Sequence, residues 1–259
     1  MAPEAPVQGT HRNVPAVTRA VRILRRLGAS TEPLGVNRLA RDLDLIPSTC
    51  LHILRVLTAE GLVEFDPATK RYQLGVGILA IARAAIQRND FATLAQPLLA
   101  TLSRRFDVTA MATQIMPSRQ MIVVALKHAE TPFRLSADLG SRFPELISAT
   151  GRCVAAFNGY GEADLRAGFA GLMWDDPPTV DEWLGEVETT RARGYGVDRG
   201  RYIGGVTIIA APIFDSDGVM TRGLVSIGIA EKVEAAGVDV IAREMLRLRD
   251  ELTAYLFTG

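Results

Sequence analysis

Four side chains able to meet a nucleic acid fall inside one short run, Ile46 to Gly61, IPSTCLHILRVLTAEG. Ser48 and Thr49 carry hydroxyls that bond phosphate oxygens, while the His52 imidazole and the Arg55 guanidinium can reach base edges. Residues three or four apart share one face of a helix, so this spacing gathers the four on one side. Cys50, Ile53, Leu54 and Leu57 recur at the same period on the other side and would face a core. Pro47 suits the first helical position, where a helix leaves its N–H unpaired anyway, and Gly61 suits the left-handed residue that ends one. Alone, such a surface is an ordinary solvated helix face; the elements around it give it meaning.

Val14 to Leu27 reads as a helix with Val17, Ala20, Val21, Leu24 and Leu27 on one stripe and Arg19, Arg22, Arg25 and Arg26 mostly off it. Gly28 to Gly35 breaks it. Val36 to Leu43 is a second short helix with Val36, Leu39, Ala40 and Leu43 inward, and Asp44-Leu45 turns the chain into the helix at Pro47. Two short helices in this relation match the helix-turn-helix, whose second member enters a DNA major groove. Leu62 to Phe65 and Arg71 to Leu74 then alternate as strands around the turn-rich Asp66-Pro67-Ala68-Thr69-Lys70. That hairpin is a wing, with Lys70 and Arg71 near its tip to hold backbone phosphate. Arg19, Ser48, Thr49, His52, Arg55, Lys70 and Arg71 form the candidate DNA-binding set, on a winged helix-turn-helix domain over residues 14–75.

Bulk properties agree. The chain has 259 residues, 48% apolar and 22% charged, enough for two domains with separate cores. Net charge is zero, but Met1 to Gly75 holds a balance of +3 and the remainder −3. A nucleic-acid surface needs such local clustering rather than a high overall charge. No apolar run approaches the roughly 20 residues that cross a bilayer. Residues 1–13 are polar, without an apolar signal core, and read as a disordered arm on a cytoplasmic protein. Cys50 and Cys153 sit on apolar faces as reduced thiols, and the three histidines lack metal-ligand spacing, so neither metal nor cofactor is expected.

Val76 to Asn89 continues as a linker helix without the composition of a flexible tether. Asp90 is a plausible cap for the next helix, with Leu94, Leu98, Leu99, Leu102 and Phe106 on its apolar face. From Thr109 the period changes to two: Thr109–Ile115, Met121–Lys127 and Phe133–Ala137 read as strands, and Leu139–Ile147 as irregular chain. Ser148-Ala149-Thr150-Gly151 opens a helix bearing Cys153, Val154 and Phe157. Helices near Glu162–Phe169 and Val180–Arg193 follow, the latter with a Thr179–Glu182 capping box and Gly194 at its end. Tyr195–Asp198, Thr207–Phe214 and Val219–Ile229 return to strand, and Val238–Leu256 closes the chain as an amphipathic helix. Residues 90–259 are therefore α+β, an antiparallel sheet with packed helices.

The arrangement AVTRAVRIL, LGVNRLARDLDL, PSTCLHILRVLTAEGLVEF and KRYQLG resembles the winged helix-turn-helix of the IclR family of bacterial transcriptional regulators. His52 stands where many members carry arginine. SATGRCVAAF, RGYGVDRGRYIGGVTIIAAPIFDSDG and GLVSIGI are similar to the family's C-terminal domain, which has a GAF-like fold and binds a small effector. The resemblance implies a pocket at Ala149, Thr150, Gly151, Asp198, Ile208, Ser226 and Gly228. Leu135, Ile147, Ile208 and Ile227 are candidates for its apolar wall. It also implies homodimers, often paired into tetramers, on a two-fold operator in double-stranded DNA, controlled by a small molecule such as an organic acid. Three positions depart from the family pattern: Arg201 replaces an acid, Ile208 a cysteine and Arg152 a lysine. An inward-facing Arg201 would favour a negatively charged effector.

Two other readings compete. The C-terminal domain could serve only to oligomerise the chain. Alternatively Cys153, at a helix start, could be a nucleophile, but His128 is the one histidine of that domain and has no evident partnership with it.

Overall fold

The computed structural model describes residues 14–130 and 137–257, and the chain divides into two compact units, 1–88 and 89–259. In the first, α1 (Pro15–Gly28), α2 (Val36–Asp42) and α3 (Pro47–Ala59) surround a core of Ile23, Leu27, Leu39, Cys50, Leu54 and Leu57. Pro47 starts α3 as its type predicts. At the other end Gly61, at φ +69°, lets its own N–H reach Thr58 O and the Leu62 N–H reach Leu57 O. These bonds satisfy carbonyls that the helix end leaves open, and they turn the chain into the wing.

The wing is a three-stranded antiparallel sheet in the order β1 (Leu34–Gly35), β3 (Arg71–Leu74), β2 (Val63–Asp66). Its hairpin follows the sequence pattern, but β1 lies in a segment expected only to break α1. Two residues are too few to show a period; Leu34 is held by pairing with Tyr72. The stripe on α1 also needs correction. Ala20, Ile23, Leu24 and Leu27 pack on the core, whereas Val17 and Val21 are exposed. α4 (Gly77–Gln87) completes this unit.

In the second unit, α5 (Asp90–Phe106) is capped by Asn89, whose side chain accepts the Ala92 N–H at 3.1 Å; Asp90 lies inside the helix. The strands are β4 (Thr109–Met116), β5 (Gln120–Lys127), β6 (Arg142–Pro144), β7 (Gly196–Arg199), β8 (Val206–Phe214) and β9 (Met220–Ile229). They form one antiparallel sheet in the order β6-β5-β4-β9-β8-β7. β6 lies in the stretch expected to be irregular and pairs with the start of β5. The strand expected over Phe133–Ala137 falls almost wholly outside the described residues.

Both faces of this sheet are covered, which is why its central strands read as nearly continuous apolar runs. α5 and α10 (Val238–Phe257) pack on one face against Ala110, Ala112, Ile209, Ala211 and Leu224. α6 (Ser148–Phe157) and α8 (Val180–Arg193) pack on the other against Met111, Ile208, Ala210 and Val225. Adjacent residues along each strand serve opposite faces, as the pleat requires. α7 (Glu162–Phe169) and α9 (Ala230–Ala236) complete the layers; α9, only seven residues long, was not foreseen in the sequence. α8 begins with the expected capping box, Thr179 Oγ1 accepting the Glu182 N–H while Glu182 accepts the Thr179 N–H. The Thr179 N–H and the Thr179 hydroxyl, both acting on the Glu182 carboxylate, hold that carboxyl below its ordinary range.

Candidate nucleic-acid interface and ligand cavity

The buried side of α3 fixes what its other side can do. With Cys50, Leu54 and Leu57 in the core, Ser48, His52 and Arg55 are exposed and Thr49 is half-buried, on the outer side of the helix. Three arginines on α1 at helical spacing, Arg19, Arg22 and Arg26, have different fates. Arg22 Nη2 donates to Leu43 O at 2.6 Å, and Arg26 pairs with Asp42 at 2.6 Å. These contacts lock α1 to the end of α2 and leave Arg19 exposed, without a partner among the described residues.

At the wing, Asp66 accepts the Ala68 N–H and the Thr69 hydroxyl, which hold its carboxyl below the ordinary range. This Asx turn shapes the tip and places Lys70 at φ +54°. Lys70 is exposed, whereas Arg71 Nη1 reaches back to Pro33 O at 3.4 Å. Arg38 and Arg41 are two further exposed cations, on α2, that the sequence-derived set did not include. Their position on the helix that crosses the backbone in a helix-turn-helix was the signal.

The second unit contains a cavity of about 370 Å³ between α6 and the sheet. Its floor is Met111, Thr113, Met121, Ile208, Val225 and Ile227; Ile147, Ser148 and Thr150 close one end; Phe143, Tyr202 and Ile203 complete the wall. Of the sequence-derived pocket residues, Thr150 and Ile208 line it, as do Ile147 and Ile227. Ala149 and Gly151 are buried on other sides of α6, packed towards β7 and the Leu146 backbone. Ser226 and Gly228 face the opposite side of the sheet. Ser226 pairs with Ile209, not Ile208, and the missing Cβ of Gly228 makes room for Val233 and Val108. Leu135 lies outside the described residues.

Asp198 is fully buried but does not line the cavity. Its Oδ2 accepts Arg152 Nη1 at 2.8 Å, and its Oδ1 accepts the Tyr202 N–H at 3.1 Å. Arg152, itself 1% exposed, also donates through Nε to Glu186 at 2.7 Å and lies over the Trp174 ring. The pair therefore sits behind the cavity wall and fixes the loop that delivers Tyr202 and Ile203. Arg201 points elsewhere, pairing with Asp176 at 2.6 Å. Burial and the two nearby carboxylates, Asp175 and Asp198, push the Tyr202 phenol up.

Ser148 was not among the expected pocket residues, although it opens the helix that supplies two of them. It is 5% exposed, its φ is +63°, and its Oγ has no hydrogen-bond partner among the described residues. A left-handed non-glycine residue costs of order 1–3 kcal/mol, and such strain clusters at ligand-binding positions. Cys153 is wholly buried and donates its thiol to Ala210 O at 3.4 Å. Burial pushes that thiol up to about 12, the reverse of what a nucleophile needs.

A winged helix-turn-helix with a polar recognition helix, on a chain that also carries a helix-covered antiparallel sheet enclosing a cavity, defines a transcription factor with a separate ligand-domain architecture. Two family profiles match, one described as "IclR helix-turn-helix domain" over residues 16–67 and one as "Bacterial transcriptional regulator IclR C-terminal" over residues 83–247. The chain belongs to the IclR family of bacterial transcriptional regulators. The "Glycerol operon regulatory protein" of Streptomyces griseus is 30% identical over 210 residues, covering 79% of this chain and 80% of the relative. Among solved structures, an IclR transcriptional regulator from Alicyclobacillus acidocaldarius superposes with TM-score 0.82 at 23% identity, covering 94% of this chain and 99% of that one. An IclR homologue from Microbacterium hydrocarbonoxydans complexed with 4-hydroxybenzoate gives TM-score 0.77 at 16% identity, covering 94% and 100%. Among the described residues no helix is long and apolar enough to cross a membrane.

Proposed function

We propose that this regulator acts in the cytoplasm as a dimer on a two-fold operator, reading bases with Ser48, Thr49, His52 and Arg55 and holding phosphates with Arg19, Lys70 and Arg71. A small molecule in the cavity beside α6 controls it, with α4 as the connector between the two functions. The observation that carries the DNA reading is the outer face of α3. The Ser48 hydroxyl, the His52 imidazole and the Arg55 guanidinium are exposed together beside the half-buried Thr49, while the opposite face is locked into the core. Dimerisation follows from what one module lacks. A single recognition helix buries too little surface for useful affinity, and paired half-sites supply the rest. Val14, Val17 and Val21 at α1, and Val76, Leu79 and Ile81 at α4, leave apolar side chains uncovered for a second copy. Control by a ligand requires unequal affinity for two arrangements of the protein, since equal affinity shifts nothing. The reading includes no catalysis: the thiol that would serve best is buried and protonated.

The test is Arg55→Ala on an operator duplex and on a scrambled duplex. A base-reading Arg55 costs about 1–3 kcal/mol on the operator alone. Unchanged binding to both duplexes removes Arg55 from the interface.

A further inference from the structure

We infer that Val56 reads the C5-methyl group of a thymine in the major groove, so that α3 recognises its half-site partly through an apolar contact. This inference rests on the DNA reading above and extends it to the identity of one base. Three observations carry it. First, Val56 is out of place by burial. From Cys50 to Leu57 the other apolar side chains of α3, Cys50, Leu51, Ile53, Leu54 and Leu57, all pack on the core, whereas Val56 is 61% exposed. Second, helical spacing puts it among the polar groups. It follows Arg55 and lies four residues after His52, one turn further along the same side of the helix, and both of those residues are exposed. Third, nothing local favours valine there. A β-branched residue is a poorer helix former than alanine, lysine or glutamate, and this one gains little burial in return.

An isopropyl group has neither donor nor acceptor, so it cannot bond a phosphate or the polar edge of a base. The major groove does offer an apolar feature, the thymine methyl, and apolar side chains pack against it. A cytosine at the same step presents an amino donor instead, which Val56 would strip of water without replacing the bond. A lone exposed valine is ordinary on a protein surface. One set beside an imidazole and a guanidinium that meet duplex DNA is taken out of water when the complex forms. A protein partner seated on Val56 would also cover His52 and Arg55 and keep α3 from the groove, so the duplex is the occupant.

The experiment selects duplexes from a random double-stranded library with the full chain. Each thymine of the enriched half-site is then replaced in turn by deoxyuridine, which deletes the methyl and nothing else. Fluorescence anisotropy measures every duplex with the parent chain and with Val56→Ala. Alanine is the better helix former at this exposed position, so the variant stays folded, which circular dichroism checks. At one thymine of the half-site, deoxyuridine should weaken the parent by about fourfold, the worth of one buried methyl, and Val56→Ala by less than about twofold. On the deoxyuridine duplex the two proteins should agree within about twofold. A half-site at which no thymine responds, or a response as large in Val56→Ala as in the parent, overturns the inference and leaves the DNA reading standing. Equal weakening of Val56→Ala on both duplexes, with a changed sedimentation coefficient, makes Val56 a contact between copies and also overturns it. A library from which no duplex is enriched removes the DNA reading, and this inference with it.

Discussion

Arg152 and Asp198 separate contact from support. The resemblance implies a ligand role for Asp198, yet both of its oxygens are occupied, one by Arg152 and one by the Tyr202 N–H. Removing one partner of a buried ion pair leaves an uncompensated charge and costs about 3–5 kcal/mol. Arg152→Ala should therefore lower stability by that amount in denaturant unfolding; a loss below 1 kcal/mol would mean that the pair is not a structural support. Side-chain direction explains the other differences at this scale. Ser226 and Ile227 are neighbours on β9, so the pleat sends them to opposite faces and both cannot line one cavity. Alternation was legible in the sequence, but choosing the cavity side needed the pairing of Ile227 with Ile208, which only the folded register supplies. Ser148 escaped notice because a hydroxyl left without a partner among the described residues, at a left-handed position, is a property of the fold with no composition to mark it.

Elements with a strong local signal were the most legible. The capping box at Thr179, Pro47 at the start of α3 and the wing's turn residues are short-range chemistry, and each element begins or turns where that chemistry places it. β1 and α9 were hidden because two and seven residues are too few to establish a period. On α1, apolar residues occupy two faces, and helical spacing alone could not say which was core. α6 shows how an element is seated for function: a Cβ added at Gly151 would lie 1.9 Å from the Leu146 carbonyl carbon. Gly151→Ala must push the helix away from the preceding loop, moving Ser148 and Thr150 with it. The expected cost is about 3 kcal/mol, at the upper end for overpacking, read as a lowered midpoint in thermal or denaturant unfolding. A midpoint within error of the parent would show that the contact relaxes freely.

At the scale of the whole molecule, the division of charge between the two parts of the chain was visible in the sequence, and so was the change of period from helix to strand. The proposed dimer came from the resemblance alone, because a dimer face looks like any apolar stripe until the core is known. Val17 and Leu79, at 61% and 67% exposure, are the residues to change. Val17→Asp with Leu79→Asp should shift sedimentation towards the monomer and weaken operator binding together, while leaving the circular dichroism spectrum intact. A dimer that persists unchanged would place the self-contact elsewhere.

Most direct for the central claim is fluorescence anisotropy of the full chain with labelled duplex from upstream of its own coding region, set against a scrambled duplex over a range of salt. The upstream duplex should bind at least about 10³-fold more tightly, with affinity falling as salt rises because phosphate contacts release counterions. Equal affinity for both duplexes, or no binding at low salt, would contradict it.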